Sequence, residues 1–228
     1  MSHATHCAIG IDGCPGGWIA AIKIDEQPIG WHFAPALDGI LKTAPSHACI
    51  LLDMILGLPD ATEPQRLCDS LAREKIRPHG ARVFSAPPRE ALHAKDYAEA
   101  CALARLATDK ALSKQTFNIL PKIRELDAVA HDSRLREAHP ELVFARFNKG
   151  RPVGASKKTT EGRTARGQLL ESVLPGSKDA LDLAGRHFLR RQVAPDDCLD
   201  ALALCAAAVK PEQLTRLPEN PAQPGISY

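Results

Sequence analysis

The stretch Cys7–Ile24, CAIGIDGCPGGWIAAIKI, decides how the rest of the chain is read. Cys7 to Ile11 is a short uninterrupted apolar run, the pattern of a strand covered on both faces. Trp18 to Ile24 is apolar again and alternates poorly, which predicts a second well-covered strand. Between them Asp12-Gly13 opens a turn that Pro15-Gly16-Gly17 completes through backbone angles that glycine adopts most readily. Two meanings stay open for Asp12. An Asp-Gly pair supplies ordinary hairpin-turn chemistry. A carboxylate at the mouth of a buried strand, beside glycines that let a ligand approach the backbone, is also a candidate metal or phosphate site.

Working outward, Ile29 to Phe33 is expected to add a third strand and close an antiparallel meander. Leu37 to Ala44 fits a short helix. Ala48 to Asp53 is a further buried apolar strand, and it too ends in a carboxylate. Met54 to Asp60, with Gly57 and Pro59, reads as a loop, after which Thr62 and Gln65 have the spacing of a capping box before a helix with Leu67, Leu71 and Ala72 on its apolar face. Glu90 to Ala107 is alanine-rich and helical by propensity. Phe117 to Ala130 is helical with an interruption at Pro121, and Glu141 to Phe147 (ELVFARF) reads as a strand. Residues 146–166 hold seven basic residues and one acidic, the composition of an exposed loop. Helices are expected near 165–174 and 178–191, and a last one from Pro195, a favourable first helical position, to Val209. Prolines at 211, 218, 221 and 224 predict an irregular surface tail over 210–228. With no internal repeat, low-complexity segment or clear linker, one domain over 1–228 is expected.

The bulk composition is that of an ordinary globular protein, with 44% hydrophobic and 25% charged residues. The net charge of +2 selects neither for nor against nucleic acid, so local clustering has to decide. Seven scattered cysteines, with no C-x-x-C pair, argue against a disulfide framework and a structural zinc site, and suit a reducing cytoplasm. The first residues lack a cationic region followed by an apolar core, so no signal peptide is expected. No apolar run approaches the ~20 residues of a membrane span.

The acids repay closer reading. In PDDCLDALAL, Asp197 and Asp200 are three apart and share a helix face. Asp196 and Asp197 are explained by the helix dipole alone, since first-turn acids complement it. Asp200 lies a turn deeper among Leu, Ala and Cys, where a carboxylate needs a partner. Carboxylates from two strands and one helix, brought to one spot, repel each other unless cations neutralise them. Such oxygen ligands select Mg²⁺ or Mn²⁺. Two such ions ~3.5–4 Å apart can activate water and stabilise the leaving oxygen in phosphodiester hydrolysis.

This order of strands and acids resembles the ribonuclease-H-like superfamily of nucleases and resolvases. More closely, the chain resembles one family within it, number 429 of the domain-of-unknown-function series. The similar segments are IGIDGCPGGWIAA at 9–21, LLDMILGLP at 51–59, RLCDSLAREKI at 66–76, SKQTFNILPKIRELD at 113–127, EAHPELVFARFNKG at 137–150, SKKTTEGRTAR at 156–166 and DDCLDALALCAAA at 196–208. The resemblance implies an α/β fold: a mixed sheet with an antiparallel three-strand start, then parallel strands, flanked by helices. It implies a metal-dependent nuclease, with Asp12, Asp53 and Asp200 as ligands of Mg²⁺ or Mn²⁺ and with Asp197 and Glu137 completing the catalytic group. Glu137, His139 and Glu141 fall on the family's E-x-H-P-E pattern, although His139-Pro140 also reads as a plain turn with Glu141 facing solvent. Ile55 departs from the family, which has proline there.

Lys157, Lys158 and Arg166 are the candidate phosphate contacts in the basic segment, against the ordinary meaning of a solvated loop. Nucleic acid, DNA or RNA, is the expected partner. Two rivals remain. One is a catalytically silent binding or scaffold module of the same fold. The other is an ATPase of the actin and sugar-kinase type, which shares the Asp-Gly hairpin but needs a second hairpin and a second domain.

Overall fold

The apolar runs flanking Asp12 form a hairpin. In the computed structural model, which describes residues 6–228, β1 (Cys7–Cys14) pairs antiparallel with β2 (Gly17–Ile24), and Cys14 stands opposite Gly17 across the two-residue turn Pro15-Gly16. The signal-peptide reading falls largely on the first five residues, outside the described ones. Asp12 is not at the end of its strand, as the Asp-Gly pair suggested, because β1 continues to Cys14. The chain then makes β3 (Gly30–Ala34), α1 (Leu37–Leu41), β4 (Cys49–Asp53), α2 (Leu67–Lys75), α3 (Tyr97–Thr108), α4 (Lys114–Ala128) and β5 (Leu135–Glu137). It closes with α5 (Pro140–Phe147), α6 (Thr160–Val173), α7 (Ser177–His187) and α8 (Pro195–Ala208). The sheet order is β3-β2-β1-β4-β5, antiparallel among the first three strands and parallel from β1 through β4 to β5. This mixed sheet flanked by helices is an α/β arrangement consistent with the ribonuclease-H-like expectation.

The chain divides into two compact units. The first holds the residues up to Asp53, 132–215 and 227–228, and therefore the whole five-stranded sheet. Its centre is α8, which packs on β1, β2 and β4 and is covered on its other side by α5, α6 and α7. Alanines and cysteines let this helix come close to the sheet. A Cβ added to Gly10 would sit 2.1 Å from both Ala201 O and Cys205 N. The second unit, 54–131 and 216–226, carries α2, α3 and α4. Leu92, Cys101, Ala104, Leu120 and Ile123 are buried in its core, and the Arg89–Asp127 ion pair at 2.9 Å closes one side.

Several expectations are corrected. ELVFARF is α5, not a strand: His139 Nδ1 accepts from Glu141 N at 3.2 Å, and Pro140 occupies the first turn. Leu142 to Ala145 are all buried, and a helix covered on every side shows the same unbroken apolar run as a buried strand. The basic segment is not one long loop, because α6 starts inside it with Thr159 Oγ1 accepting from Gly162 N. Thr62 does not cap α2. Asp60 Oδ1 accepts from Thr62 N, Thr62 Oγ1 and Glu63 N, an Asx-type turn that delays the helix to Leu67, and Leu67 itself is exposed. The helix expected from Glu90 begins at Tyr97, behind an Asp96 cap accepting from Glu99 N.

Pro121 lies inside α4 without ending it, while Thr116, Leu120, Ile123 and Leu126 keep its buried stripe intact. The tail is not wholly irregular: Thr215 and Tyr228 exchange two backbone hydrogen bonds of 2.9 Å, and Ile226 to Tyr228 are buried. Among the described residues no helix is long and apolar enough to cross a membrane.

The approach of β1 to α8 has a direct consequence. Gly10→Ala forces a methyl group into helix backbone rather than into a flexible side chain, so a loss of about 3 kcal/mol or more is expected, at the upper end for overpacking. Urea unfolding of the variant measures it.

Candidate functional site

Residues that stand opposite each other on adjacent strands point to the same face of a sheet. Asp12 on β1 is in register with Asp53 on β4, so both carboxylates leave the sheet on one side. Gly10, two residues before Asp12, faces α8, which identifies that side as the helix-covered one. Asp200 descends onto it from the second turn of α8. Asp12, Asp53 and Asp200 each offer an oxygen within 4.8 Å of the others. Asp12 is 7% exposed and Asp200 2%. The three acids that the resemblance implied as ligands are thus brought together.

The other expected residues are placed differently. Glu137 is in register with Leu52, one residue before Asp53, so β5 presents it on the opposite face of the sheet. Asp197 sits in the first turn of α8, where its Oδ2 accepts from Ala194 N at 2.8 Å, the capping role the dipole argument allows. Its charge still reaches Asp12. Lys157 lies not on the open surface but against the acids, with its ammonium donating to Asp200 Oδ2. Lys158 is exposed, as a phosphate contact requires.

Arg166 is corrected outright. It is 0% exposed, and one of its terminal nitrogens donates to both Glu141 oxygens at 2.9 and 3.0 Å, so it cannot reach a phosphate. Its other terminal nitrogen donates to Ala155 O at 2.8 Å and Gly162 O at 3.2 Å. Arg166 thus ties the segment that carries Lys157 to α6 and α5. Gly162 is needed there, since a Cβ would lie 2.0 Å from Ser156 O. Glu141 does not face solvent, and its charge, like that of His139, reaches Asp53. Sequence reading undervalued both. The signal was Pro140: as a first-turn proline it makes His139 the cap and turns Glu141 inward.

The electrostatics follow from this crowding. Burial, then the charges of Asp53 and Asp200, raise Asp12 well above the ordinary carboxylate range. Burial also raises Asp53, against the pull of His139 and Lys157. For Asp200 burial outweighs the Lys157 contact and pushes the group up to about 7. Burial alone would lower Lys157, but Asp200 and Asp12 outweigh it and keep the ammonium protonated. Three crowded carboxylates with one lysine among them have the donor set of a hard divalent cation. The residues therefore fit Mg²⁺ or Mn²⁺.

The family model described as "Protein of unknown function (DUF429)" matches residues 10–223. The chain belongs to this family. Compared with curated proteins and with solved structures, it matches none. All three acids and Lys157 lie within the matched span of this DUF429 protein.

A carboxyl group raised in the native state holds a proton that the unfolded chain has lost, so its burial destabilises the protein once pH exceeds the unfolded value. The metal-free protein should lose stability as pH rises from about 4 to the Asp200 value of about 7. Mn²⁺ must displace those protons, so its stabilising effect should grow over the same window. Melting curves of wild type and Asp200→Asn, with and without Mn²⁺, check both. The variant should show a flatter pH dependence and a smaller Mn²⁺ response.

Proposed function

We propose that the first unit is a metal-dependent nuclease in which Asp12, Asp53 and Asp200 hold Mg²⁺ or Mn²⁺ and nucleic acid is the substrate. The observation that carries this reading is the convergence of three carboxylates on the helix-covered face with only Lys157 among them. Divalent ions bound there would polarise a phosphoryl oxygen and lower the pKa of an attacking water. The chain's own residues set the rest. Asp12 and Asp53 are held rigidly by the parallel ladder, and Asp200 by a helix buried on nearly every side. With all three acids ionised and Lys157 protonated, the cluster lacks two positive charges. One divalent ion held by the three acids would close that gap. With Asp12, Asp53 and Asp200 holding an ion, Lys157 would be free to contact a phosphate, with exposed Lys158 beside it. All seven cysteines are thiols, which supports a cytoplasmic location as part of the same proposal.

The lysine also makes room for a second reading, a binding module in which Lys157 permanently replaces the ion. The two separate by experiment. Mn²⁺ at a hundred times its dissociation constant should stabilise wild type by ~2.7 kcal/mol. Asp12→Asn should be as stable as wild type without metal, or slightly more so, and should lose both the Mn²⁺ response and divalent-dependent cleavage of DNA or RNA. Equal Mn²⁺ shifts in both proteins place the ion elsewhere. No Mn²⁺ shift in either protein, with no cleavage of any strand, selects the module that Lys157 fills permanently, and a shift confined to wild type without cleavage selects a metal-binding but silent one.

Lys157→Ala sharpens the test. It removes the ammonium that donates to Asp200, so the metal-free melting temperature should fall and the Mn²⁺ shift should exceed that of wild type. Lys158→Ala should leave both unchanged and weaken only nucleic-acid binding, with a shallower salt dependence.

A further inference from the structure

The second unit contains a cavity of about 510 Å³ whose lining chemistry the metal site does not use. Its volume lies in the ~300–1,000 Å³ range of small-molecule sites. Four ionisable side chains line it: Arg66, Arg73 and Lys110 against the single carboxylate of Asp69. The walls fix two of the cations. Arg73 Nε donates to Val83 O at 3.1 Å and a terminal nitrogen to Ser85 Oγ at 2.9 Å, so the guanidinium is anchored along one edge. The side chain of Arg66 is 1% exposed and lies 3.5 Å from Asp69 Oδ1. Asp69 is itself held by Ala86 N, which donates to its Oδ2 at 3.2 Å. The lining also carries hydroxyls: Ser113 Oγ accepts from Thr116 N at 3.0 Å, and Thr116 Oγ1 donates to Ser85 O at 3.2 Å, beside the Arg73 anchor.

One wall residue is out of place for a purely structural hollow. Phe84 is 43% exposed at the cavity, in a chain with few aromatic residues. An exposed ring beside a positively charged, hydroxyl-lined hollow offers a planar apolar surface next to an anion site. Guanidinium groups suit phosphate, because they are planar, permanently charged and rich in donors. Exposed aromatic rings suit nucleobases, because every base has a stacking face.

The geometry points to a nucleotide-binding site in the second unit, taking a phosphate monoester through Arg73 and Lys110, with the buried charge of Arg66 behind them, and a base against Phe84. The phosphate monoester belongs either to a free mononucleotide or to the 5′ end of a strand. This site shares no residue with the carboxylate cluster and does not depend on metal chemistry.

Calorimetric titration of the full chain with AMP tests it, with adenosine, inorganic phosphate and a 5′-phosphorylated dinucleotide as comparisons. AMP should bind about tenfold or more tightly than adenosine, the value of a charge-assisted hydrogen bond to phosphate. It should also bind more tightly than inorganic phosphate, which has no base. Phe84→Ala should weaken AMP about fivefold or more, through lost stacking. Arg73→Met should abolish binding. Because Arg73 also holds Val83 and Ser85, exposed Lys110→Ala serves as the variant that cannot be dismissed as misfolded, and it should weaken AMP roughly threefold. Asp12→Asn should bind AMP as wild type does, whether or not the nuclease proposal holds. Tighter binding of the dinucleotide than of AMP identifies a strand end, and the reverse a free nucleotide. No heat with AMP at millimolar concentration, equal affinity for AMP and adenosine, equal affinity for AMP and phosphate, unchanged binding by both Phe84→Ala and Lys110→Ala, or loss of AMP binding in Asp12→Asn each overturns the assignment.

Discussion

Repulsion among Asp12, Asp53 and Asp200 is the constraint around which the first unit is built. The parallel register sets two of these acids side by side, and a buried helix lowers the third onto them. Like charges at this separation in a poorly hydrated place cannot all ionise without a compensating cation. The fold supplies one, Lys157, on a segment with no regular structure of its own. That segment is kept in place at a distance. Arg166 reaches Ala155 O from α6 and is itself gripped by Glu141 on α5. The chain of contacts from Glu141 through Arg166 to the Lys157 segment positions the cation, while the charge of Glu141 still reaches Asp53 and Asp200. A buried pair broken on one side leaves an uncompensated charge, so loss of either member disturbs the site as well as the fold.

A cluster that opposes folding has to sit in a part of the molecule with stability to spare. Helix α8 provides it. Ten of its residues are buried, and the small ones permit backbone-to-backbone approach at Gly10. Dispersion contacts accumulate with packing density, so a helix covered on both sides tolerates one poorly placed carboxylate. Asp200 therefore keeps its position although ionising it is unfavourable.

Much of this was legible in the sequence, for physical reasons. Buried strands declare themselves as apolar runs, and the two that end near acids gave Asp12 and Asp53 their places. Asp200 stood out because a carboxylate among Leu, Ala and Cys has no cheap explanation. What could not be read follows equally from physics. ELVFARF is apolar throughout, and full burial erases the periodicity that separates helix from strand. With α5 mistaken for a strand, Glu141 was assigned to solvent and Arg166 to a phosphate, although each is the other's partner. Lys157 and Asp200 are 43 residues apart, and no local pattern reports a pairing across that distance. Glu137 was carried by its motif, yet a register of one residue decides which face of a sheet an acid takes.

The same charge arithmetic explains why a lysine rather than an arginine would suit this position. An arginine is a rigid fork that holds several acceptors at once, as Arg166 holds Glu141, Ala155 O and Gly162 O, and such an arrangement is made to persist. A lysine is a compact charge on a flexible stem, strongly hydrated once released, and it touches Asp200 through a single ammonium. Under the proposed function, a divalent ion in its place would exchange one positive charge for two at the point where the carboxylates are most crowded. The lysine then remains on its tethered segment, one residue from exposed Lys158. The two kinds of cation in this unit therefore have different tasks. The buried guanidinium fixes the architecture, and the ammonium holds the acids together through one contact.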